Sequence, residues 1–306
     1  MSKLNKILKN QLDLIDGIYV KETEIQTTKI IQKFYQNDPF PNYKNNDNKN
    51  SILNIGDKNY VAKKIKDKFK FNKVILEVGA GTCQLSNYLA IGTNNKIFAM
   101  DTTLESLKLG KDFSDNNHIK NVTYIKADLF DDIFDKNIFD LVWCSGVLHH
   151  TKDPYKGFIK ILNYVKENGY IIIGLYNKIF RIKTILRKYL YKIFGKKIIM
   201  VLDPHLRKIQ NENDKINSWI NDQYEHPVES LHTLDEVLRW FKNNNVEYIN
   251  SIPSVTNNTH LNLFKKDIEG DWFSRILTQF FSIFSPLANE GGLFIVIGKK
   301  KTNDIR

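Results

Sequence analysis

The sequence predicts a doubly wound α/β fold built on a mostly parallel sheet. From Lys73 onward, short apolar runs alternate with stretches of helical periodicity, which is the pattern of strands joined by crossover helices. Several runs are apolar at every position, as expected for strands that helices cover on both faces. Seven strands are predicted: Val74–Val78, Ile97–Asp101, Val122–Ala127, Asp140–Cys144, Tyr170–Leu175, Val246–Ile252 and Leu293–Ile297.

The first 70 residues are predicted to form a helical cap and a connector in front of a domain that spans residues 71–306. A helix is expected over residues 24 to 36, followed by an extended turn, because Pro39 and Pro41 stand between aromatic residues. Residues 42–50 are polar and of low complexity, which is typical of a flexible connector.

Capping signals mark two helices of the main domain. Asp153 followed by Pro154 opens one helix, and the pair Asn168-Gly169 is expected to end it. Thr233 and Glu236 form a capping-box pattern at the start of another. About residues 177–230, after the fifth strand, no strand is predicted, so this stretch is expected to be a helical insertion that acts as a lid.

Length and composition favour a cytoplasmic protein. With 306 residues and 42% hydrophobic side chains, the chain is long enough to bury a sizeable core. No apolar run approaches the roughly 18 residues that span a bilayer, and charges interrupt the N-terminal apolar positions. The two cysteines, Cys83 and Cys144, are too few for a disulfide framework and fit a reducing compartment.

The net charge of +11 is concentrated in one segment, because residues 178–197 contain eight Lys or Arg and no acid. Apolar residues recur there at helical spacing and form one face: Ile182, Ile185, Leu186, Tyr189, Leu190 and Ile193. We favour a lid helix that packs this face on the core and leaves a solvated basic face. An interfacial helix on anionic lipid and a contact with RNA remain alternatives.

A glycine-containing turn follows the first strand of the main domain. The segment Gly79-Ala80-Gly81 leads into a helix, so it can turn tightly and bring a ligand to a helix N-terminus. Alone, such a turn is more often an ordinary strand-to-helix connection.

Two acids strengthen the ligand interpretation. Asp101 ends the next strand, where a carboxylate can accept both hydroxyls of a ribose, and Asp128 follows the third strand, where an acid can accept from an adenine amino group.

These residues carry a family resemblance. The pattern Glu77-x-Gly79-x-Gly81 resembles the first motif of class I S-adenosylmethionine-dependent methyltransferases, and residues 139–150 and 165–174 resemble segments that follow it. The resemblance implies a seven-stranded Rossmann-like sheet with an antiparallel last strand, and S-adenosylmethionine as cofactor. One departure is Cys83, which stands where the family often has a third glycine. The implied cofactor-binding residues are Glu77, Gly79, Ala80, Gly81, Asp101, Asp128, Leu129 and Cys144.

Methyl transfer from a sulfonium is an in-line displacement, so the enzyme mainly orients and desolvates its reactants. A general base is needed only if the acceptor must lose a proton. Each candidate for the acceptor side also has a structural interpretation, as a backbone-bonding or anchoring residue. The candidate catalytic residues are His149, His150, Tyr176, Tyr224 and His226, with Asn177 beside them.

The acceptor is not identified by the sequence, although a small molecule is favoured. No His, Cys or carboxylate set has the spacing of metal ligands, so no metal is expected.

Two other functions stay open. An NAD-dependent oxidoreductase would also use a glycine-rich turn and an acid near Asp101, although it would more usually have a third glycine. A non-catalytic module that binds S-adenosylmethionine or a membrane is the other alternative.

Overall fold

The protein is built on one nine-stranded sheet. The computed structural model describes residues 7–9, 12–36, 39, 43, 46–210, 213–256, 262–289 and 291–302. Its strands run along the sheet in the order β1-β2-β5-β4-β3-β6-β7-β9-β8. They are β1 (Asp13–Ile15), β2 (Ile18–Val20), β3 (Val74–Val78), β4 (Lys96–Asp101), β5 (Val122–Lys126), β6 (Phe139–Ser145), β7 (Val165–Tyr176), β8 (Val246–Ile252) and β9 (Leu293–Lys300).

The predicted number of seven strands is wrong, although β3 to β9 correspond to the seven predicted runs. The two further strands are β1 and β2, which extend the sheet beyond β5. β2 pairs in parallel with β5, opposite Ile125, and buries Ile18 and Val20. Each of these strands has only three residues, which is too short for a periodic pattern. The segment before residue 70 is therefore not purely helical.

The strand order fixes where a ligand can bind. β3 pairs in parallel with β4 on one side and with β6 on the other. The chain runs from β3 through β4 to β5 on one side and then crosses back to β6 on the other side. A crevice forms at this reversal, at the carboxyl ends of the strands, where open α/β sheets bind ligands. At the other edge, β9 runs antiparallel between β7 and β8, as the family resemblance implies for the last strand.

Thirteen α-helices cover the described part of the chain. They are α1 (Gln26–Gln36), α2 (Lys49–Lys58), α3 (Tyr60–Lys68), α4 (Gln84–Ala90), α5 (Leu104–Asn116), α6 (Pro154–Tyr164), α7 (Ile182–Phe194), α8 (Lys196–Leu202), α9 (Pro204–Lys208), α10 (Asn213–Ile220), α11 (Leu234–Asn243), α12 (Trp272–Phe281) and α13 (Pro286–Asn289). Among the described residues, none of these helices has both the length and the apolar character needed to cross a bilayer.

The predicted helix starts are confirmed, but one predicted end is wrong. The Asp153 carboxylate accepts from the Lys156 amide at 3.0 Å, and the Thr233 hydroxyl accepts from the Glu236 amide at 3.3 Å. α6 ends at Tyr164 because β7 begins at once, and Asn168-Gly169 lies where the β6–β7 register shifts.

The structure of residues 42–50 also differs in part from the predicted flexible connector. Asn48 forms a capping box with Ser51 and opens α2, so a helix begins inside the stretch. Residues 42, 44 and 45 lie outside the described residues, as do residues 37, 38, 40 and 41 of the proline-containing turn.

Apolar side chains of alternate strand residues form a core on each face of the sheet. Along β3, Leu76 packs with the core that α6 and α11 cover, including Phe158, while Ile75 packs with the core beneath α2, α3 and α4, including Ile65. Because both faces are buried, the central strands β3 and β4 are apolar except near their ends, where Glu77 and Asp101 stand.

Candidate cofactor and acceptor site

A cavity of about 610 Å³ opens at the carboxyl ends of the central strands. Nine of the thirteen residues predicted for the site line it: Glu77, Gly79, Ala80, Gly81, Asp101, Asp128, Leu129, His150 and Tyr176. The other four, Cys144, His149, Tyr224 and His226, are buried nearby and do not belong to the lining. The cavity therefore brings together the strand-end acids, the glycine turn and part of the predicted acceptor side.

The glycine turn after β3 is held in a conformation that other residues rarely adopt. The amides of Gly79 and Ala80 both donate to the Met100 carbonyl, at 2.8 and 3.0 Å, which ties the turn to β4. Gly79 has a φ of +71°, and a Cβ added there would lie 2.1 Å from Cγ2 of Val147. Both backbone conformation and space therefore require glycine at position 79.

Cys83 is not helical: it has a φ of +61° and precedes α4 as its N-cap. The left-handed region disfavours a side chain, which is the physical reason that glycine suits this position better. Burial raises the pKa of the Cys83 thiol and that of Cys144 well above their usual values. Neither thiol is therefore poised as a nucleophile.

Asp101 is oriented by the backbone around it. Its Oδ2 accepts from the Gly81 amide and its Oδ1 accepts from the Thr103 amide, both at 2.8 Å. Burial raises the pKa of Asp101, and these backbone donors oppose that rise. Asp101 also lines the cavity, so its carboxylate can be approached by a ligand there.

Glu77, at the end of β3, is a buried carboxyl group. Its Oε2 accepts from the Ser86 hydroxyl at 2.5 Å. Burial raises the pKa of Glu77 to about 8, which the bond from Ser86 opposes and the charge of Asp101 reinforces. A cation in the cavity would favour the ionised form of this group.

Asp128 is covered by the N-terminal helix α1. Its Oδ2 accepts from the Thr28 hydroxyl, and its Oδ1 accepts from the Phe130 amide at 2.7 Å. From the same helix, Gln32 donates its side-chain amide to the Thr102 carbonyl at 2.9 Å. α1 therefore lies across the ends of β4 and β5. The sequence predicted this helix but contained no signal for its position over the acids.

One part of the cavity lining, where the sequence places candidate acceptor-side residues, centres on Asp222, which the sequence did not indicate. Its carboxylate accepts from the hydroxyl of Tyr35 at 2.8 Å, from the hydroxyl of Tyr176 at 3.3 Å and from the side-chain amide of Gln223 at 2.7 Å. Burial first, and then the charge of Asp222, raise the pKa of both tyrosines well above the usual value. Both phenols are therefore protonated donors.

Arg181 holds Tyr176 from the other side and was also not predicted. Its guanidinium carbon lies 3.3 Å from the centre of the Tyr176 ring. The same group forms a two-pronged ion pair with Glu229, at 3.1 and 2.9 Å, and donates to Oε1 of Gln223 at 2.8 Å. These contacts fix the Tyr176 ring beside the cavity.

The structure distinguishes the two neighbouring histidines. Nδ1 of His150 lies 2.7 Å from the Val228 carbonyl oxygen, which can only accept, so Nδ1 carries the hydrogen and Nε2 has the free lone pair. Burial lowers the pKa of His150, which keeps the ring neutral near pH 7. His149 is fully buried against the Tyr176 ring, at 3.9 Å between centres, and neither of its nitrogens has a hydrogen-bond partner among the described residues.

The remaining candidates support the site from behind. His226 stacks on His150 at 3.6 Å between ring centres, and burial lowers its pKa to about 3. Tyr224 donates to the Asp203 carboxylate at 2.6 Å within the core of the insertion. Asn177 caps the turn after β7 by accepting from the Ile179 amide at 2.8 Å. Among the described residues, no group of three or more possible ligands is arranged to hold a metal ion.

Comparison with known proteins identifies the central region. Residues 76–173 match the family described as "Methyltransferase domain". A ubiquinone biosynthesis O-methyltransferase from Glaesserella parasuis is 27% identical over 35% of this chain, and a ubiquinone/menaquinone biosynthesis C-methyltransferase from Idiomarina loihiensis is 28% identical over 34%. The alignments span 47% and 43% of those relatives' lengths.

A solved structure shares the fold over nearly the whole chain. Geranyl diphosphate C-methyltransferase from Streptomyces coelicolor A3(2), in complex with Mg2+, geranyl diphosphate and S-adenosyl-L-homocysteine, superimposes with a TM-score of 0.51. The match covers 92% of this chain and all of that chain at 11% identity. Residues 76–173 therefore match a methyltransferase domain, and the strand order and the cavity at the strand ends are consistent with that match.

Proposed function

We propose that the protein transfers a methyl group from S-adenosylmethionine to a small-molecule acceptor. The observation that carries this proposal is the convergence of the glycine turn, Asp101 and Asp128 on one cavity. Asp101 would accept from the ribose hydroxyls, while Asp128 and Leu129 would contact the adenine. The turn from Glu77 to Gly81 would lie against the methionine portion. Cys144 is buried beneath the turn and would only support it.

The fit of the cofactor rests on two features of these residues. The closely approachable backbone at Gly79 leaves room for a ligand, and Asp101 lines the cavity, where a ligand can approach its carboxylate. When bound, S-adenosylmethionine supplies an activated methyl group. The protein then needs to orient the acceptor and to exclude water, which α1 favours by covering the ends of β4 and β5.

The acceptor would bind at the end of the cavity that Tyr35, Tyr176 and Asp222 define. Two phenol donors and one carboxylate can orient a polar group there, and Arg181 keeps the Tyr176 ring in place. For an acceptor that must lose a proton, Nε2 of His150 is the base. It has a free lone pair, it belongs to a residue of the cavity lining, and its ring is neutral.

The direct test is methyl transfer from labelled S-adenosylmethionine into aqueous and organic fractions of a cell extract. We expect labelled product with the wild-type chain and a strong reduction with Asp101→Ala. Mass spectrometry of the product then names the acceptor. The outcome that contradicts the proposal is tight binding of NADH without binding of S-adenosylmethionine, because it favours the oxidoreductase. Binding of S-adenosylmethionine with no transfer into any fraction indicates the non-catalytic module.

The base is tested by comparing His150→Gln with His149→Gln. Removing a general base lowers the rate by about 100-fold or more, so His150→Gln should lower kcat while leaving S-adenosylmethionine affinity unchanged. His149→Gln is the control, because His149 is equally buried but does not line the cavity. Because the pKa of His150 is lowered, the acid limb of the wild-type kcat profile should fall below pH 6.5. Equal losses in both variants would assign His150 a structural role.

A further inference from the structure

Helix α7 turns its apolar face to solvent. The sequence favoured core packing of this face, but the structure buries the polar positions Thr184 and Arg187, with Arg187 beside Tyr224. Four of the six apolar side chains of the predicted face point outward, with 46% to 71% of their surface exposed: Ile182, Leu186, Tyr189 and Ile193. The other two, Ile185 and Leu190, are half-buried. The favoured interpretation of a helix with its apolar face on the core is therefore wrong.

Helix α12 has the same inverted arrangement. Its buried side is polar, because Gln279 accepts from the Asn177 side chain at 2.8 Å and from the Leu234 amide at 3.1 Å. Arg275 anchors the same side through an ion pair with Asp235 at 2.6 Å. Five aromatic side chains of α12 and the following turn are exposed: Trp272, Phe273, Phe280, Phe281 and Phe284.

The two exposed faces adjoin one another. The ammonium group of Lys183, in α7, lies 5.5 Å from the centre of the Phe284 ring. Arg181, at the start of α7, donates to the carbonyl of Gly291, shortly after α13. We refer to the exposed faces of α7, α8 and residues 272–284 as the aromatic–basic surface. It holds twelve of the nineteen large apolar side chains that are exposed among the described residues, so it is not a scatter of single residues.

The α7–α8 part of this surface is positively charged, whereas the exposed acids Glu269 and Asp271 precede its aromatic part. Lys178, Lys192, Lys196 and Lys197 are exposed, and the segment 178–197 contains no acid. A second copy of the chain seated on this face would bring two sets of like charges together, which opposes self-association. A phosphate-rich partner matches the charge, and both RNA and an anionic bilayer meet that condition.

The apolar side chains distinguish these two partners. RNA binding uses basic groups and stacking aromatic rings, but Ile182, Leu186 and Ile193 offer RNA neither a hydrogen bond nor a stacking surface. A bilayer interface accepts aliphatic and aromatic side chains together, with lysines toward anionic headgroups. We propose that the aromatic–basic surface docks the protein on an anionic membrane.

The docking face lies beside the acceptor end of the cavity. Arg181 joins the two, because it precedes α7 and also stacks on Tyr176. Docking would therefore bring the cavity close to acceptors that dissolve in lipid. The docking proposal does not rest on methyl transfer, since vesicle binding requires no catalysis.

The test uses co-sedimentation of the full chain with vesicles of phosphatidylcholine alone and of phosphatidylcholine mixed with phosphatidylglycerol. We expect binding to the mixed vesicles that weakens with added salt. Lys178, Lys192 and Lys197 changed together to Gln should weaken it by about tenfold or more, since a basic residue near an anionic surface contributes about 1 kcal/mol. The matched control changes the exposed lysines Lys58, Lys63 and Lys120 to Gln, outside this surface.

A second pair of variants tests the apolar part. Phe281→Ser with Phe284→Ser should reduce vesicle binding, while Phe71→Ser, at an exposed aromatic residue elsewhere, should not. Unchanged S-adenosylmethionine affinity shows that each variant is folded. The proposal is overturned if the chain ignores the mixed vesicles. It is also overturned if the lysine variant loses binding to a homopolymer RNA but not to the mixed vesicles. A third contradicting outcome is a phenylalanine variant that binds vesicles normally but no longer forms a concentration-dependent dimer.

Discussion

Replacing Asp101 by Ala separates the proposed cofactor contact of this carboxylate from its bonds to the backbone. Toward the cavity it can be approached by a ligand, and toward the protein it accepts from the amides of Gly81 and Thr103. A hydrogen bond to a charged group contributes about 1.5–3 kcal/mol. Losing one such bond to the ribose weakens S-adenosylmethionine binding by about tenfold to a hundredfold. Losing both ribose bonds weakens it further.

The stability of the free protein should change much less. The variant loses two bonds to backbone amides, which lowers the free energy of unfolding. It also removes a carboxylate whose raised pKa shows that burial disfavours its charge. These effects oppose one another, so we expect the free energy of unfolding to change by about 1 kcal/mol.

Calorimetric titration with S-adenosylmethionine measures the affinity, and urea unfolding measures the stability. Asp140→Ala is the matched control, because the Asp140 carboxylate also accepts from a backbone amide, that of Val74 at 2.8 Å, but does not line the cavity. The control should bind S-adenosylmethionine like the wild type. Unchanged affinity in Asp101→Ala, or an equal loss in both variants, would refute the ribose assignment.

Two further substitutions test the turn and the buried acid beside it. In thermal unfolding, Gly79→Ala should destabilise the fold by more than Gly92→Ala. Both glycines have a positive φ, so each substitution costs about 1 kcal/mol in backbone strain, but only Gly79 also faces Val147. Equal losses of stability in the two variants would show that the turn at Gly79 relaxes to make room. The pKa of Glu77 is about 8 in the folded chain, so the folded chain binds this proton more tightly than the unfolded chain does. Glu77 therefore contributes a loss of stability as the pH rises from about 4.5 to 8, and Glu77→Gln should remove that contribution. The measurement is the difference in slope between wild type and variant, because the buried histidines contribute the opposite slope to both proteins. A variant with the same slope as the wild type would contradict the raised pKa of Glu77.

The strands that carry the site could be predicted because their signals are local. A strand covered on both faces is largely apolar, so β3 to β7 appear as mostly apolar runs, with Asp101 at the end of β4 and Asp128 just after β5. β1 and β2 were missed because three residues define no period. β2 is recognised only from its pairing with β5, a hundred residues away in sequence, and β1 only from its pairing with β2.

The acceptor end depends on long-range contacts that no local pattern contains. The hydroxyl of Tyr35 reaches Asp222 across 187 positions of sequence, and Thr28 reaches Asp128 across 100. The histidine pair was recognised, yet the sequence could not rank its members. That ranking comes from the Val228 carbonyl, which fixes the tautomer of His150.

Periodicity in α7 correctly indicated an apolar face, but it does not state what covers that face. The orientation is set instead by the polar side, because Arg187 and Gln279 would lose buried partners if α7 or α12 were rotated. A buried polar group without a partner costs about 1–3 kcal/mol, which favours the observed orientation even though it leaves apolar surface in water. The exposed faces are therefore held outward by specific bonds, as expected if a surface outside this chain covers them.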